Sequence, residues 1–315
     1  MITRRTLLSL TGAGVGGVIL PAAFGSGAWA VGQSGTLPSR IVSAGGAITE
    51  TLFALGLEDR IVAVDTTSTY PHAAMALPKI GYLRQLSAEG LLSVRPDLVV
   101  LSSEAGPPAA IEQLKASGIP LVIIEAEWSP EGIARQITEV GVAVGAEEPA
   151  LELASRVSGQ FETLAATLPD VRDQKMLLLL SAGTGPLLAA GTNTAADAIM
   201  KLAGGGTALP DMEGYKPVSI EPILAADPDW IILPSHVARA LGGHDGVSSL
   251  EVITRTRAGV QGRVAIIDSL YLLGFGIRTA QAAADLATLL YPDAGIPALG
   301  RPSIPSPSVM IAGAG

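Results

Sequence analysis

Two stretches of this chain are versions of one sequence: SAEGLLSVRPDLVVL at residues 87–101 and SIEPILAADPDWIIL at residues 219–233. A serine, a glutamate, a Pro-Asp pair and a final leucine recur at one constant offset. Each copy reads as a short helix that begins after the serine, followed by an apolar strand without polar alternation, as in a buried parallel sheet. A duplicated helix–strand unit predicts two related lobes with a cleft between them.

The pattern around the two copies predicts an α/β fold. Apolar strands alternate with helical periodicity from residue 40 to 144, and the alternation restarts at residue 176 and runs to 290. This order predicts two Rossmann-like lobes, each with a parallel sheet covered by helices. We place the N-terminal lobe at residues 39–146 and the C-terminal lobe at residues 174–292. Residues 296–315 contain four prolines and little pattern, so we expect a flexible tail.

One long helix is predicted to join the lobes, over residues 147–169. Apolar residues recur there at helical spacing: Leu151, Ala154, Val157, Phe161, Leu164 and Leu168. Pro149 and Pro169 mark its two ends, and about twenty helical residues span about 30 Å. A single rigid connection predicts that the lobes move little relative to each other.

Residues 1–30 have the features of a signal peptide. Arg4 and Arg5 precede a mostly apolar stretch that ends in Ala28-Trp29-Ala30, an A-x-A cleavage pattern. The paired arginines are typical of twin-arginine export, with Sec export as the alternative. An uncleaved membrane anchor is the competing interpretation, which the glycines and Pro21 of the segment disfavour. We therefore expect the periplasm as the location.

Composition narrows the possible classes of function. The 315 residues include no cysteine, which excludes disulfides, a thiolate metal site and a lipid-modified cysteine. The formal net charge is −9, and loss of residues 1–30 leaves 18 basic and 29 acidic residues, a net charge of −11. Such an acidic chain argues against nucleic acid and anionic lipid as partners. The G-x-S-x-G, H-E-x-x-H and P-loop motifs are absent, so we expect a binding protein and not an enzyme.

Tyr82 and Arg84 are the first candidates for ligand contact. They stand in a loop after Gly81, just ahead of the first repeat. A guanidinium two residues from a phenol can favour the phenolate, and a phenolate is an oxygen ligand of ferric haem. A half-buried tyrosine beside a solvated arginine is the plainer interpretation, and the residues alone leave both open.

Two further loops, both in the second lobe, contain candidate ligand contacts. Tyr215 and Lys216 precede the second repeat, so a cleft contact and an ordinary surface turn are both open. Phe275, between two glycines, can pack on an apolar ligand, and Arg278 can pair with a carboxylate or serve only as a first-turn helix residue. The histidines are His72, His236 and His244, which lack zinc spacing; only His72, after a Tyr-Pro pair, is kept as a possible ligand.

Glu89 and Glu221 occupy equivalent positions in the two copies. A carboxylate in the first helical turn interacts favourably with the helix dipole, which accounts for either residue alone. Retention of both by the duplication indicates a shared role. Two outward carboxylates suit docking onto a two-fold symmetric partner that carries arginines.

Five stretches carry a resemblance to a known family: GYLRQLSAEG at residues 81–90, RPD at 95–97, AAGTNTAAD at 189–197, GYKP at 214–217 and LGFGIRT at 273–279. Over about residues 39–292 the chain resembles the haem-binding periplasmic proteins of bacterial haem-uptake ABC transporters. These belong to the helical-backbone (class III) periplasmic binding proteins, whose two lobes are joined by one long helix. Ile277 stands where the resemblance predicts a proline.

The resemblance implies that Tyr82 is the axial ligand of ferric haem b, the transported ligand, and that Arg84 supports its phenolate. It also implies that Glu89 and Glu221 meet arginines of the permease dimer of an ABC importer. No histidine directly precedes Ala189, near which some members have a second ligand, so Tyr-only, five-coordinate ligation is expected. We expect a monomer. A siderophore or cobalamin carrier of the same fold is the alternative, and an exported α/β enzyme is the alternative from another class.

Overall fold

A computed structural model describes residues 37–169, 173–183 and 185–299, and the backbone of a strand at 310–311. The predicted signal peptide, residues 1–30, and most of the predicted tail, residues 296–315, lie outside the described residues. Within that tail, residues 310–311 form a strand instead of the expected flexible segment, and the strand pairs antiparallel with residues 265–266.

The N-terminal half is built on a four-stranded parallel sheet. Its strands are β1 (Ile41–Ala44), β2 (Ile61–Val64), β5 (Leu98–Ser102) and β6 (Leu121–Ile124), and a separate hairpin consists of β3 (Gly81–Tyr82) and β4 (Gln85–Leu86). The helices are α1 (Gly46–Ala54), α2 (Ala88–Ser93), α3 (Pro108–Ala116) and α4 (Pro130–Val144), with 3-10 turns at Glu58–Arg60 and His72–Ala76. The strand order is β2-β1-β5-β6, with every pairing parallel.

Both faces of this sheet are buried, as its unbroken apolar strands require. Along β5, Leu98 and Val100 belong to the core shared with α1 and α4. Val99 and Leu101 belong to the opposite core, shared with α2 and α3. Because successive side chains of a strand point to opposite faces, one apolar run contributes residues to both cores.

A 21-residue helix, α5 (Glu147–Thr167), follows α4 directly. Its buried residues are Ala150, Leu153, Ala154, Val157, Phe161 and Leu164. Leu151, part of the apolar pattern in the sequence, is 59% exposed, because the buried face begins one residue earlier. The two helices touch at Gly141, where a Cβ would lie 2.2 Å from that of Ala150, so glycine permits this close approach.

The C-terminal half contains a second, mixed sheet. Its strands are β7 (Lys175–Ser181), β8 (Leu187–Ala190), β9 (Gly206–Thr207), β10 (Tyr215–Val218), β11 (Trp230–Pro234), β12 (Val264–Ile267) and β13 (Met310–Ile311). Its helices are α6 (Ala195–Leu202), α7 (Ile220–Ala226), α8 (Ser235–Ala240), α9 (His244–Ser248), α10 (Glu251–Arg255), α11 (Arg257–Val260), α12 (Ser269–Leu273) and α13 (Thr279–Leu290). The strand order is β10-β8-β7-β11-β12-β13, with β9 beside β7.

The predicted α/β class with parallel sheets is confirmed, and the second sheet adds to it. Strands β7, β11 and β12 are parallel, whereas β8 runs antiparallel to both β7 and β10. The strands missing from the prediction, β8 and β10, have four residues each. The equally short β2, β6 and β12 are apolar runs rich in β-branched residues, whereas β8 ends in two alanines and β10 contains a lysine and a proline, which are uncommon in strands.

The aspartate of the repeated Pro-Asp pair makes equivalent hydrogen bonds in the two halves. Asp97 accepts hydrogen bonds from the Ser39 N–H at 2.9 Å and hydroxyl at 2.8 Å, and from the Arg40 N–H at 2.9 Å. Asp229 accepts from the Lys175 N–H at 2.9 Å. In both copies the aspartate therefore fixes the start of the first strand of its half, which is a structural role.

The basic residues at these two strand starts also have equivalent contacts. The Arg40 Nη2 donates to the Val94 carbonyl at 2.7 Å, and the Lys175 Nζ donates to the Ala226 carbonyl at 3.1 Å. The residue before the repeated proline has a positive φ in both halves, 47° at residue 95 and 45° at residue 227. The duplication thus preserves backbone conformation where the sequence differs.

Replacement of Asp97 by alanine should lower the free energy of unfolding by about 1–2 kcal/mol, because several partly exposed hydrogen bonds are lost. Burial alone would raise the pKa of Asp97, but the bonds from Ser39 and Arg40 outweigh it and lower the pKa. The stabilisation is therefore complete above the unfolded pKa of about 4 and disappears as pH falls through the lower folded value. Urea unfolding of wild type and Asp97→Ala, at neutral pH and below pH 4, measures the difference.

The control for this measurement is Asp211→Ala, at an exposed aspartate. Equal unfolding free energies for Asp97→Ala and wild type at neutral pH would contradict the assigned role of Asp97.

Candidate functional site

The hairpin β3–β4 presents Tyr82 at the carboxyl edge of the N-terminal sheet. Leu83 and Leu86 are buried, whereas Tyr82 is 43% exposed. The loop after β5 holds the hairpin: the Gly106 N–H donates to the Leu83 carbonyl at 3.0 Å, and the Leu86 N–H donates to the Gly106 carbonyl at 2.7 Å. Apolar anchors and backbone hydrogen bonds thus fix the chain around Tyr82 while its ring remains in solvent.

Arg84 joins Tyr82 to Glu104. Its Nη1 donates to the Tyr82 hydroxyl at 3.2 Å, and its Nη2 donates to Glu104 Oε1 at 2.8 Å. Burial alone would lower the pKa of Arg84, but its contacts with Tyr82 and Glu104 outweigh it and raise the pKa. A permanent cation therefore lies within hydrogen-bond distance of the phenol oxygen. We call Tyr82, Arg84 and Glu104 the phenol–guanidinium group.

Tyr215, the first residue of β10, faces this group from the C-terminal half. Its hydroxyl accepts from the Ala196 N–H, at the start of α6, at 3.4 Å. Burial raises the pKa of Tyr215, hydrogen bonds from Ala196 and Thr194 oppose that rise, and the charges of Glu104 and Arg84 also act on it. Because those two charges belong to the N-terminal half, Tyr215 lies within electrostatic range of the phenol–guanidinium group, across the boundary between the halves.

Apolar side chains are exposed on the same edge of the N-terminal sheet. Met75, in the 3-10 turn after β2, is 53% exposed, and Trp128, in the loop after β6, is 37% exposed. The carboxyl ends of parallel strands meet at one edge, where α/β folds bind their ligands. This edge therefore combines apolar surface with a phenol and a cation.

The two halves touch through a buried ion pair. Arg278 Nε and Nη2 donate to the two carboxylate oxygens of Glu50 at 3.0 Å and 2.5 Å. The side chains are 2% and 3% exposed. The pair thus belongs to the contact between the halves and is shielded from solvent.

The family described as periplasmic binding protein matches residues 41–271 of the chain. The protein belongs to this family. Among curated relatives, the uncharacterised ABC transporter substrate-binding lipoprotein YvrC of Bacillus subtilis (strain 168) is 27% identical over 261 residues, covering 81% of each chain. The vitamin B12-binding protein of Yersinia pestis (strain Pestoides F) is 29% identical over 205 residues, which is 63% of this chain and 71% of the relative.

Among solved structures, the apo form of the periplasmic heme-binding protein RhuT from Roseiflexus sp. RS-1 is similar throughout. It is 38% identical, with a TM-score of 0.77, and the alignment covers 81% of this chain and 99% of that one. The protein thus shares its fold and family with substrate-binding proteins of ABC transporters. In the described part of this periplasmic binding protein, every helix is too short or too polar to span a bilayer.

Phe275 and Arg278 lie in the interior and not on an open wall of the cleft. Phe275 is 5% exposed and belongs to the apolar core that the C-terminal half shares with α4 and α5, so it has almost no surface to offer a ligand. The carboxylate that Arg278 pairs with is Glu50 of the protein itself. The sequence-based ligand contacts of these two residues are corrected to a core role and an interlobe ion pair.

Lys216 does not share the wall of Tyr215. It is exposed on β10, opposite Ala189 of β8. Because side chains alternate along a strand, Lys216 points to the opposite face of the sheet from Tyr215.

The histidines are dispersed. His72 is exposed in the turn after β2, and His244 is exposed at the start of α9. The His236 Nδ1 lies 2.8 Å from the Ser269 hydroxyl, and burial, with help from Arg239, lowers the pKa of His236. Within the described residues, no group of three or more His, Asp or Glu side chains has an arrangement able to hold a metal ion.

Glu89 and Glu221 are both exposed in the first turns of α2 and α7, but their helix caps differ. The Ser87 hydroxyl accepts from the Gly90 N–H at 3.3 Å. In the second copy, proline replaces that glycine and has no N–H to donate. The Ser219 hydroxyl bonds the Glu221 carboxylate instead, which lowers the pKa of Glu221.

Sequence reasoning missed Glu104, Glu50 and Tyr70. Glu104 follows closely after a buried strand, the position where ligand-contacting residues of α/β folds gather. Glu50 is a lone carboxylate within the otherwise apolar α1. Tyr70 lies over Arg278, with 3.6 Å between the guanidinium carbon and the ring centre. The sequence carries the first two signals, but their partners become visible only in three dimensions.

Replacement of Phe275 by alanine should lower the free energy of unfolding by about 3 kcal/mol, because a buried aromatic ring leaves a cavity. Phe275→Leu, which keeps most of the apolar volume, is the matched control and should cost less. Thermal unfolding measures both. An unchanged melting temperature for Phe275→Ala would contradict the core role.

Proposed function

We propose that this protein binds ferric haem in the cleft between its two lobes and delivers it to an inner-membrane ABC importer. One observation carries the proposal: the Arg84 Nη1 lies 3.2 Å from the hydroxyl of the exposed Tyr82. A phenolate supported by a cation is a suitable ligand for ferric iron. Tyr82 is then the axial ligand of the iron, and Arg84 supports its charged form.

The two cleft tyrosines differ in a way that supports this assignment. Burial raises the pKa of Tyr215, so its phenol stays neutral near pH 7 and serves as a wall contact. Tyr82 has solvent on one side and a guanidinium on the other. We therefore assign the iron to Tyr82, with Tyr215 on the opposite face of the haem.

Apolar contact supplies most of the binding free energy in this proposal. Burial of about 400 Å² of porphyrin surface contributes on the order of 10 kcal/mol gross, and Met75 and Trp128 offer apolar surface on the carboxyl edge. The iron–phenolate bond then provides selectivity. The similarity to RhuT, described as heme-binding, at 38% identity also supports haem as the ligand.

Delivery is assigned to Glu89 and Glu221, which we propose to dock onto arginines of the permease dimer. Both carboxylates are exposed and occupy equivalent positions in the duplicated segment. The signal-like residues 1–30 support a periplasmic location. We propose that the protein diffuses to its importer as a monomer.

In a hemin titration, Arg84→Ala should weaken binding about tenfold to a hundredfold, the usual effect of losing a residue that supports a metal ligand. Tyr82→Phe should weaken binding further and abolish the absorbance spectrum of phenolate-ligated ferric haem. Absorbance titration of the purified mature protein measures both affinity and spectrum.

Tyr215→Phe is the matched control and should retain the spectrum. An unchanged spectrum and affinity in Tyr82→Phe would overturn the ligand assignment. Competition with a ferric siderophore and with cobalamin separates the alternatives, because one relative is described as a vitamin B12-binding protein. If cobalamin displaces hemin when it is present at a lower concentration than hemin, cobalamin binding is the favoured function.

Replacement of both Glu89 and Glu221 by alanine should abolish hemin-stimulated ATP hydrolysis by the cognate importer in proteoliposomes, while hemin affinity stays at the wild-type value. Each single substitution should have an intermediate effect, since one anchor remains. Glu148→Ala, at another exposed glutamate in the first turn of a helix, is the control. Full stimulation by the double variant would rule out this docking mode.

A further inference from the structure

The ion pair between Arg278 and Glu50 connects the two halves by a geometry that permits little variation. Glu50 belongs to α1, and Arg278 immediately precedes α13, 228 residues later. Both carboxylate oxygens accept from the guanidinium, at 3.0 Å and 2.5 Å. A two-pronged contact of this kind fixes orientation as well as distance.

The pair is ionised. Burial alone would lower the pKa of Arg278, but Glu50 outweighs it and raises the pKa. Burial also raises the pKa of Glu50, against the opposing effect of Arg278. We assign the charged form to both, because a guanidinium that donates to both oxygens stabilises the carboxylate relative to the neutral acid.

The guanidinium also contacts one aromatic ring from each half. It lies 3.6 Å from the ring centre of Tyr70, in the N-terminal half, and 5.0 Å from that of Tyr271, on α12. The Tyr271 hydroxyl donates to Asp285 of α13 at 2.9 Å. The plane of the Arg278 guanidinium thus lies near aromatic rings from both halves, while its edge donates to Glu50.

The backbones around the pair are in close contact. A Cβ on Gly46, at the start of α1, would lie 2.3 Å from the Leu270 side chain, and a Cβ on Gly276 would lie 3.0 Å from that of Ala47. These glycines allow the halves to meet directly. The boundary next to the ion pair therefore leaves almost no room for sliding.

On the N-terminal side, this boundary is connected to the wall that carries Tyr82. A Cβ on Gly45, which precedes α1, would lie 3.1 Å from that of Ser102, the last residue of β5. The Ser102 hydroxyl accepts from the Glu104 N–H at 3.2 Å, and Glu104 holds Arg84. The phenol–guanidinium group is therefore a few contacts from the ion pair.

On the C-terminal side, the connection runs through α6. This helix packs against α12 and α13, which carry Tyr271 and follow Arg278. The first turn of α6 donates the Ala196 N–H to the Tyr215 hydroxyl. Both walls of the cleft are therefore attached to the same buried pair.

A contribution to stability alone does not account for this arrangement. The cost of removing two charges from water largely offsets their attraction, and apolar residues often replace such pairs without loss of stability. An apolar contact does not reproduce the single relative orientation that the two guanidinium–carboxylate hydrogen bonds impose.

We infer that Glu50, Arg278 and Tyr70 form an interlobe clamp that sets the distance between the Tyr82 and Tyr215 walls of the cleft. They are positioning residues and do not contact the ligand. The inference rests on the proposed use of this cleft for haem, but its geometric part is measurable without any ligand.

The test is an electron–electron distance measurement between spin labels on the two halves. The chain has no cysteine, so labels at Gln113→Cys on α3 and Ala225→Cys on α7, both exposed, are specific. In the Glu50→Met/Arg278→Met variant, the ligand-free distance distribution should broaden. Its hemin affinity should fall about tenfold, because a preorganised cleft is lost.

Arg257→Met is the matched control. That arginine pairs with Asp227 and Asp229 within the C-terminal half, at 3.0 Å and 2.9 Å, so its loss should change neither the distances nor the affinity. Where the double variant does not fold, Arg278→Lys, which keeps the charge and loses the fork, is measured in the same way and should also broaden the distribution.

An unchanged distance distribution in the folded variant overturns the clamp. A broadened distribution with unchanged hemin affinity overturns the positioning role. If wild type binds no hemin, the proposed function fails, while the distance measurement still decides the clamp.

Discussion

The contact between Arg278 and Glu50 constrains how the two halves of the molecule meet. Both side chains are almost fully buried, and an unpaired charge in that position would be strongly unfavourable. The halves can therefore pack closely only in the arrangement that brings carboxylate and guanidinium together. Gly46 and Gly276 act in the same place by allowing backbone and side chain to approach without an intervening Cβ. We infer that this arrangement sets where Tyr82 of one half lies relative to Tyr215 of the other.

Within the cleft, two phenols have opposite electrostatic surroundings. Tyr82 is partly exposed and has the Arg84 guanidinium beside its oxygen. Tyr215 is more deeply buried, and burial disfavours its phenolate. Glu104 shares Arg84 with Tyr82, so the cation is already partly balanced in an otherwise acidic protein. The asymmetry between the walls thus comes from solvent access and one arginine, and not from the tyrosines themselves.

The duplicated segment combines two kinds of residue that the sequence does not separate. The repeated aspartates, Asp97 and Asp229, accept backbone hydrogen bonds at the first strand of each half. The repeated glutamates are exposed, and their helices are capped differently because of one proline. The spacing of these residues in the sequence does not distinguish the aspartate pair from the glutamate pair. Hydrogen-bond partners and exposure distinguish a structural repeat from one that is available to a partner.

The sequence by itself determined the α/β class, the parallel central strands and the position of Tyr82 ahead of the first repeat. These features are local: apolar runs, helical periodicity, and a short motif that begins with Gly81. Only the tertiary structure decided that Phe275 is part of a core, that Arg278 pairs with Glu50, and that Glu104 holds Arg84. Burial and long-range pairing depend on which surfaces meet, and residues 228 positions apart in the chain leave no local pattern from which that meeting can be read.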